Sequence, residues 1–154
     1  MACAVVNGLN MYYEVHGEGP PLLLLHGGTG SIPAKWIPYF SSQFRVIAME
    51  PMGHGRTAYA RLSPDGADHW PIVLGRLQRM WPVEPDFTRE EIQRIKAPTL
   101  IIVGDGDIVT PEHAVEMFRT IPGAQLCVVP PASHGVLPKE TVLTFLNEAH
   151  ADEK

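Results

Sequence analysis

The sequence has few of the features that mark nucleic-acid-binding, membrane-spanning or exported proteins. Only 12 Lys and Arg stand against 17 Asp and Glu in 154 residues, and no basic run occurs, which excludes a typical nucleic-acid partner. The apolar run at residues 22–25 is far shorter than the roughly 20 residues of a membrane-spanning helix. The N-terminal stretch lacks both a basic start and a long apolar segment, so nothing in it indicates export. We expect an acidic, cytoplasmic protein without membrane association.

Cysteine is scarce, and the sequence carries no metal-binding or nucleotide-binding motif. The two cysteines are Cys3 and Cys127, and the apolar, strand-like surroundings of Cys127 predict a buried, reduced thiol. No H-E-x-x-H pair or comparable histidine spacing occurs, so we expect no metal site. The glycine loop "HGGTGS" lacks the Lys-Ser/Thr ending of a phosphate-binding loop. We therefore expect no cofactor.

Hydrophobic patterning predicts one α/β domain over residues 1–154, because 45% of the residues are hydrophobic and strand-like runs alternate with helical ones. Asn7-Gly8 predicts a tight hairpin between its flanking strands. Thr88 with Glu91 predicts a capping box, and Thr110 followed by proline predicts a second helix start. The predicted strands are ACAVV, LNMYYEVH, PLLLL, FRVIAME, TLIIVGD and QLCVV. The predicted helices cover residues 36–42, 68–81, 88–95, 110–121 and the segment PKETVLTFLNEA.

Three loops that follow predicted buried strands carry unusual residues. They are HGGTGS after PLLLL, GDIVTP after TLIIVGD, and PPASHG after QLCVV. Ligands of open α/β sheets bind where loops leave the carboxyl ends of the strands. With this order of glycine loop, acid and histidine, the chain resembles the α/β-hydrolase superfamily of esterases and lactonases. The resemblance implies a minimal α/β fold: a mostly parallel sheet flanked by helices, with most of the cap absent.

The nucleophile elbow G-x-S-x-G of that superfamily is missing. Five serines are present, and none has glycines two positions away on both sides. No buried strand leads into such a turn between residues 57 and 97, so we expect the central nucleophile strand to be missing as well. We then expect PLLLL and TLIIVGD to pair directly in parallel, giving the order LNMYYEVH, FRVIAME, PLLLL, TLIIVGD, QLCVV.

The resemblance also implies which residues form the site. Asp107 would orient the imidazole of His134, which would transfer protons. Asp105 is the rival acid, but the family spacing favours Asp107 and leaves Asp105 to stabilise its turn. Backbone N–H groups at Gly28 and Thr29 would face the oxyanion of a reacting carbonyl.

The replacement for the missing nucleophile is left open between water activated by His134 and a nearby hydroxyl. Ser31 is the first candidate hydroxyl and Thr29 the second, although Ser31 is equally expected to cap a helix near Pro33. Ser133 adjoins His134, and Ser63 would require its loop to fold over the site. Trp70 is expected either to line an acyl pocket or to pack in the core.

Two functions follow. One is a hydrolase of small carboxylic esters or lactones, and the other is a catalytically silent remnant that acts as a binding or assembly module. The missing nucleophile strand and elbow would leave apolar surface uncovered, which predicts a homodimer. The side chains expected on that surface are Trp70, Leu74, Leu77 and Met80.

Overall fold

The structure is a computed structural model, and it describes residues 2–6, 9–25, 35–50, 67–83 and 85–151. The chain forms two compact units, Met1–Pro85 and Asp86–Lys154, and each is described by itself below. The expectation of one domain over residues 1–154 stays a prediction.

The first unit contains a four-stranded mixed sheet. Its strands are β1 (Ala2–Val6), β2 (Leu9–His16), β3 (Pro21–Leu24) and β4 (Arg45–Glu50), in the order β1-β2-β4-β3. β2 pairs antiparallel with both β1 and β4, whereas β3 pairs parallel with β4. Val6 pairs with Leu9, which confirms the predicted hairpin, although residues 7–8 themselves lie outside the described residues.

Alternate residues on and before β4 build the core of the first unit. Phe44, Val46 and Ala48 are almost fully buried, and the short helix α1 (Ile37–Phe40) contacts β4 and contributes Phe40. Every second residue of a strand points to the same face, so these three side chains share the covered side of the sheet. Burial of a side chain such as Phe40 or Val46 stabilises the fold by about 1.5–3 kcal/mol.

The helix α2 (Trp70–Met80) follows a 3-10 turn at Ala67–His69. It lies where the apolar spacing predicts it and ends just before Pro82. None of its residues is buried. Ile72 is half exposed and Met80 is 42% exposed, so the described chain leaves much of the apolar surface of α2 uncovered.

The second unit contains two parallel strands, β5 (Leu100–Gly104) and β6 (Gln125–Val129), with Gly104 opposite Val129 at their carboxyl ends. Its helices are α3 (Arg89–Ile92), α4 (Pro111–Thr120) and α5 (Lys139–Ala151), and α4 packs against both strands. Val103, Ala114 and Ile121 form its buried apolar core.

Both predicted helix starts of the second unit are confirmed. The hydroxyl of Thr88 accepts a hydrogen bond from the N–H of Glu91, whose carboxylate accepts one from the N–H of Thr88. The hydroxyl of Thr110 accepts one from the N–H of His113 at the start of α4. These bonds satisfy N–H groups that have no partner within their own helix.

Within each unit the predicted strand neighbours are confirmed. The predicted order LNMYYEVH, FRVIAME, PLLLL is found as β2-β4-β3, and TLIIVGD pairs with QLCVV as β5 and β6. The predicted pairing of PLLLL with TLIIVGD would join the two units and stays a prediction.

Two burial predictions need correction. PLLLL does not behave as a strand buried on both faces, because exposed and half-buried side chains alternate along β3, as on a sheet covered on one face only. Cys127 is free, as expected, but half-buried rather than buried.

Candidate active site

The carboxyl ends of β5 and β6 bring together one acid and one histidine. Asp107 lies three residues beyond β5 and His134 five residues beyond β6. The Nδ1 atom of His134 lies 2.8 Å from the Oδ1 atom of Asp107. The carboxylate side chain is only 7% exposed, whereas the imidazole is 63% exposed. The acid is therefore held within the loop while the reactive ring faces outward.

Hydrogen bonds keep Asp107 ionised. The largest effect is the backbone N–H of Val109, which donates to Oδ1 at 3.0 Å and lowers the pKa of the Asp107 carboxyl. Burial acts in the opposite direction, and the hydrogen bond and charge of His134 lower the pKa further. An ionised carboxylate can only accept hydrogen bonds. Nδ1 of His134 must therefore carry a proton, which leaves the lone pair of Nε2 available to accept one from another molecule.

Asp105 does not contact the histidine but joins the two loops. Its Oδ1 atom accepts a hydrogen bond of 2.8 Å from the N–H of Ala132, 27 residues away. The N–H of Gly106 donates to the carbonyl of Ala132 at 2.9 Å. The structure thus brings Asp107, not Asp105, to His134. The sequence "GDGD" identifies both Asp105 and Asp107 as candidate acids, but nothing in it shows that Asp105 reaches Ala132.

Of the other candidate residues, only Ser133 belongs to the described part of the second unit. Gly28, Thr29, Ser31 and Ser63 lie outside the described ranges. Trp70 is the half-buried first residue of α2. Ser133 is exposed and adjoins His134 in sequence. None of the hydrogen bonds in the described part of the chain joins the side chains of these two residues.

Searches of the described ranges for metal sites and membrane spans find neither. No group of three or more His, Cys, Asp or Glu side chains there could hold a metal ion. No described helix has the length and apolarity that crossing a bilayer requires.

Comparison with known proteins finds similar proteins that are named as hydrolases. No family model matches the sequence. A segment of 54 residues is 39% identical to the (E)-2-((N-methylformamido)methylene)succinate hydrolase of Acinetobacter baylyi, covering 33% of this chain and 20% of that protein. The structure is similar to the enol-lactonase of Burkholderia xenovorans with a TM-score of 0.69 at 16% identity, covering 95% of this chain and 100% of that one.

A serine hydrolase involved in carbazole degradation is similar with a TM-score of 0.77 at 14% identity, covering 96% of this chain and 98% of that chain. The chain therefore has the α/β-hydrolase fold.

Proposed function

We propose that the protein is a hydrolase of small carboxylic esters or lactones in which Asp107 and His134 work as an acid–base pair. The observation that carries the proposal is the 2.8 Å hydrogen bond from Nδ1 of His134 to the almost buried carboxylate of Asp107. The names of the similar proteins, a succinate-derivative hydrolase and an enol-lactonase among them, support hydrolysis as the reaction class.

In the proposed reaction His134 acts first as a base and then as an acid. Nε2 takes a proton from a water molecule while the water oxygen attacks the ester carbonyl, and Asp107 stabilises the resulting imidazolium. The tetrahedral intermediate collapses when the carbon–oxygen bond to the leaving group breaks. The proton on Nε2 passes to the leaving alkoxide, so that one ester and one water give one carboxylic acid and one alcohol.

Water is the proposed nucleophile because the imidazole of His134 is 63% exposed and a G-x-S-x-G serine is absent from the sequence. The hydroxyl of Ser31 is the alternative, with Thr29 second. Gly28 and Thr29 are proposed to donate backbone N–H groups to the oxyanion, and Trp70 to line the acyl pocket. Labelling with a fluorophosphonate and mapping the peptides distinguishes these routes: a label on Ser31 favours the serine, and turnover without a label favours water.

The function is tested by ester and lactone turnover of the purified protein and of two single-histidine variants. We expect His134→Ala to abolish turnover and His113→Ala to retain it, because His113 lies on α4 and is exposed without contacting Asp107. His113→Ala controls for the weak hydrolysis of activated esters by any exposed imidazole. Equal rates for the wild type and His134→Ala would contradict the proposal.

The second candidate is a catalytically silent binding or assembly module, and the missing nucleophile elbow favours it. Self-association fits either function. Met80, Trp81 and Val83 are 42%, 49% and 64% exposed, whereas Trp70, Leu74 and Leu77 are only partly exposed. We propose a homodimer that covers this surface, and sedimentation velocity showing only monomer at high concentration would contradict it.

A further inference from the structure

Ala132, in the loop that carries His134, makes two backbone hydrogen bonds to the acid loop. Both backbone polar groups of Ala132 bond to the acid loop: its N–H donates to Oδ1 of Asp105 at 2.8 Å, and its carbonyl accepts from Gly106 at 2.9 Å. The N–H of Asp105 also donates to the carbonyl of Val129 at 3.3 Å, which extends the pairing of β5 and β6 by one step. Ala132 is thus held from both sides, two residues before His134.

Close backbone packing adds to this attachment. A methyl group on Gly104 would collide with the carbonyl oxygen of Ala132 and lie 2.7 Å from its carbonyl carbon. The two loops therefore approach each other at a distance that only glycine permits. The three bonds and this close approach involve residues 104–106 and 129–133, and neither Asp107 nor His134 takes part in them.

From this geometry we propose that Asp105 is a positioning residue, which sets the distance between Asp107 and His134 by holding the backbone of Ala132. The proposal rests on the proposed function for its catalytic consequence, but its structural part stands without turnover. A carboxylate that accepts from a backbone N–H forms a charge-assisted hydrogen bond, which is shorter and stronger than a neutral one. Its loss would let the His134 loop move relative to the acid loop.

Three substitutions of Asp105 separate this positioning role from two simpler roles, stabilising its own turn and supplying a negative charge. Asp105→Asn keeps an oxygen at the δ position that can accept from Ala132. Asp105→Ser can stabilise its own turn but has no oxygen that reaches so far. Asp105→Ala removes both the oxygen that accepts from Ala132 and the side-chain oxygen that could stabilise the turn. Asp86→Ala removes the same negative charge from an exposed position of the same unit and is the matched control.

We expect Asp105→Ala and Asp105→Ser to lower kcat about ten-fold or more with a small change in KM, because displacement of a catalytic group by about 1 Å costs up to 100-fold. Asp105→Asn is expected to stay within about three-fold of the wild type, since its hydrogen bond persists. Asp86→Ala should equal the wild type. Wild-type turnover in Asp105→Ser would show that the local turn is sufficient and would overturn the proposal.

The ¹⁵N chemical shifts of the His134 ring give a readout that does not need turnover. In the wild type and in Asp105→Asn we expect the Nδ1–H tautomer, held by Asp107. In Asp105→Ala and Asp105→Ser we expect a mixture of both tautomers. If the protein hydrolyses nothing and the tautomers shift as described, the proposed function fails while the positioning role stands. An unchanged tautomer in folded Asp105→Ser, or an equal shift in Asp105→Asn, would overturn the role.

Discussion

Replacing Gly104 with alanine should destabilise the second unit specifically. The added methyl would lie 2.7 Å from the carbonyl carbon of Ala132 and 3.0 Å from the carbonyl oxygen of Ser133, whereas ordinary contacts begin at 3.4 Å. The nearest neighbours are the carbonyl oxygen and carbon of Ala132, which are backbone atoms and cannot rotate away as a side chain could. The end of β5 and the loop at Ala132 must therefore separate by well over half an ångström. Overpacking of this kind costs about 1–3 kcal/mol.

Gly75→Ala is the matched control for this substitution. Gly75 lies within α2, and a methyl there would meet nothing within 4 Å. Alanine is favoured over glycine inside a helix by about 1 kcal/mol, so we expect the first unit to become slightly more stable. The same substitution is thus expected to lower stability at Gly104 and to raise it at Gly75.

The assay must report the two units separately. All three tryptophans, Trp36, Trp70 and Trp81, lie in the first unit, so urea unfolding followed by fluorescence reports Gly75→Ala. Circular dichroism reports both units, and amide hydrogen exchange of Gly106 reports the bond to Ala132 directly. Gly104→Ala should lower the unfolding midpoint by circular dichroism and speed exchange at Gly106. An unchanged midpoint together with unchanged Gly106 protection would refute the close approach of the two loops.

Three further results are expected. In Asp107→Asn the amide oxygen should keep both hydrogen bonds that Oδ1 accepts, from Val109 and His134, so ¹⁵N NMR should still show the Nδ1–H tautomer of His134. Because the negative charge is lost, kcat/KM should fall about ten-fold to 100-fold. Because the pKa of Asp107 is lowered, its ionisation stabilises the fold above the ordinary Asp pKa of about 4, and this contribution is lost as the pH falls through the lowered value. Urea unfolding below about pH 4 should accordingly depend less on pH in Asp107→Asn than in the wild type. Thr88→Ala removes the hydroxyl that caps α3, so it should lower the melting temperature. The backbone N–H of residue 88 is the largest cause of the lowered pKa of Glu91 and remains in the variant, whereas the smaller contribution of the hydroxyl is lost. The pKa of Glu91 should therefore rise only part of the way towards its ordinary value, and an unchanged carboxyl titration by NMR would contradict this.

Local features of the fold could be predicted from the sequence because a few neighbouring residues determine them. Asn7-Gly8 predicts the hairpin, and Thr88 with Glu91 predicts a capping box that the structure contains. Asp107 and His134 meet because their loops leave neighbouring parallel strands at the same edge. The hairpin and the capping box need only turn and capping chemistry, whereas the pair of Asp107 and His134 is implied by the resemblance to α/β hydrolases.

Features that depend on distant parts of the chain could not be predicted in the same way. The pairing of PLLLL with TLIIVGD rests on the missing central strand and on the cost of open edges, and it stays a prediction because it would join the two units. The bond from Asp105 to Ala132 joins residues 27 apart, and the spacing within either loop does not reveal it. The closeness of Gly104 to Ala132 likewise becomes visible only once both strands are in register.

The joint action of Asp107 and His134 is tested most directly by a double-mutant cycle on kcat/KM for a small ester. If the two residues act as a pair, His134→Ala should lower the rate by about 10²–10⁴-fold, and adding Asp107→Ala to it should cost almost nothing more. Asp107→Ala alone should be strongly impaired. Losses that multiply in the double variant, or a wild-type rate in His134→Ala, would contradict catalysis by the pair.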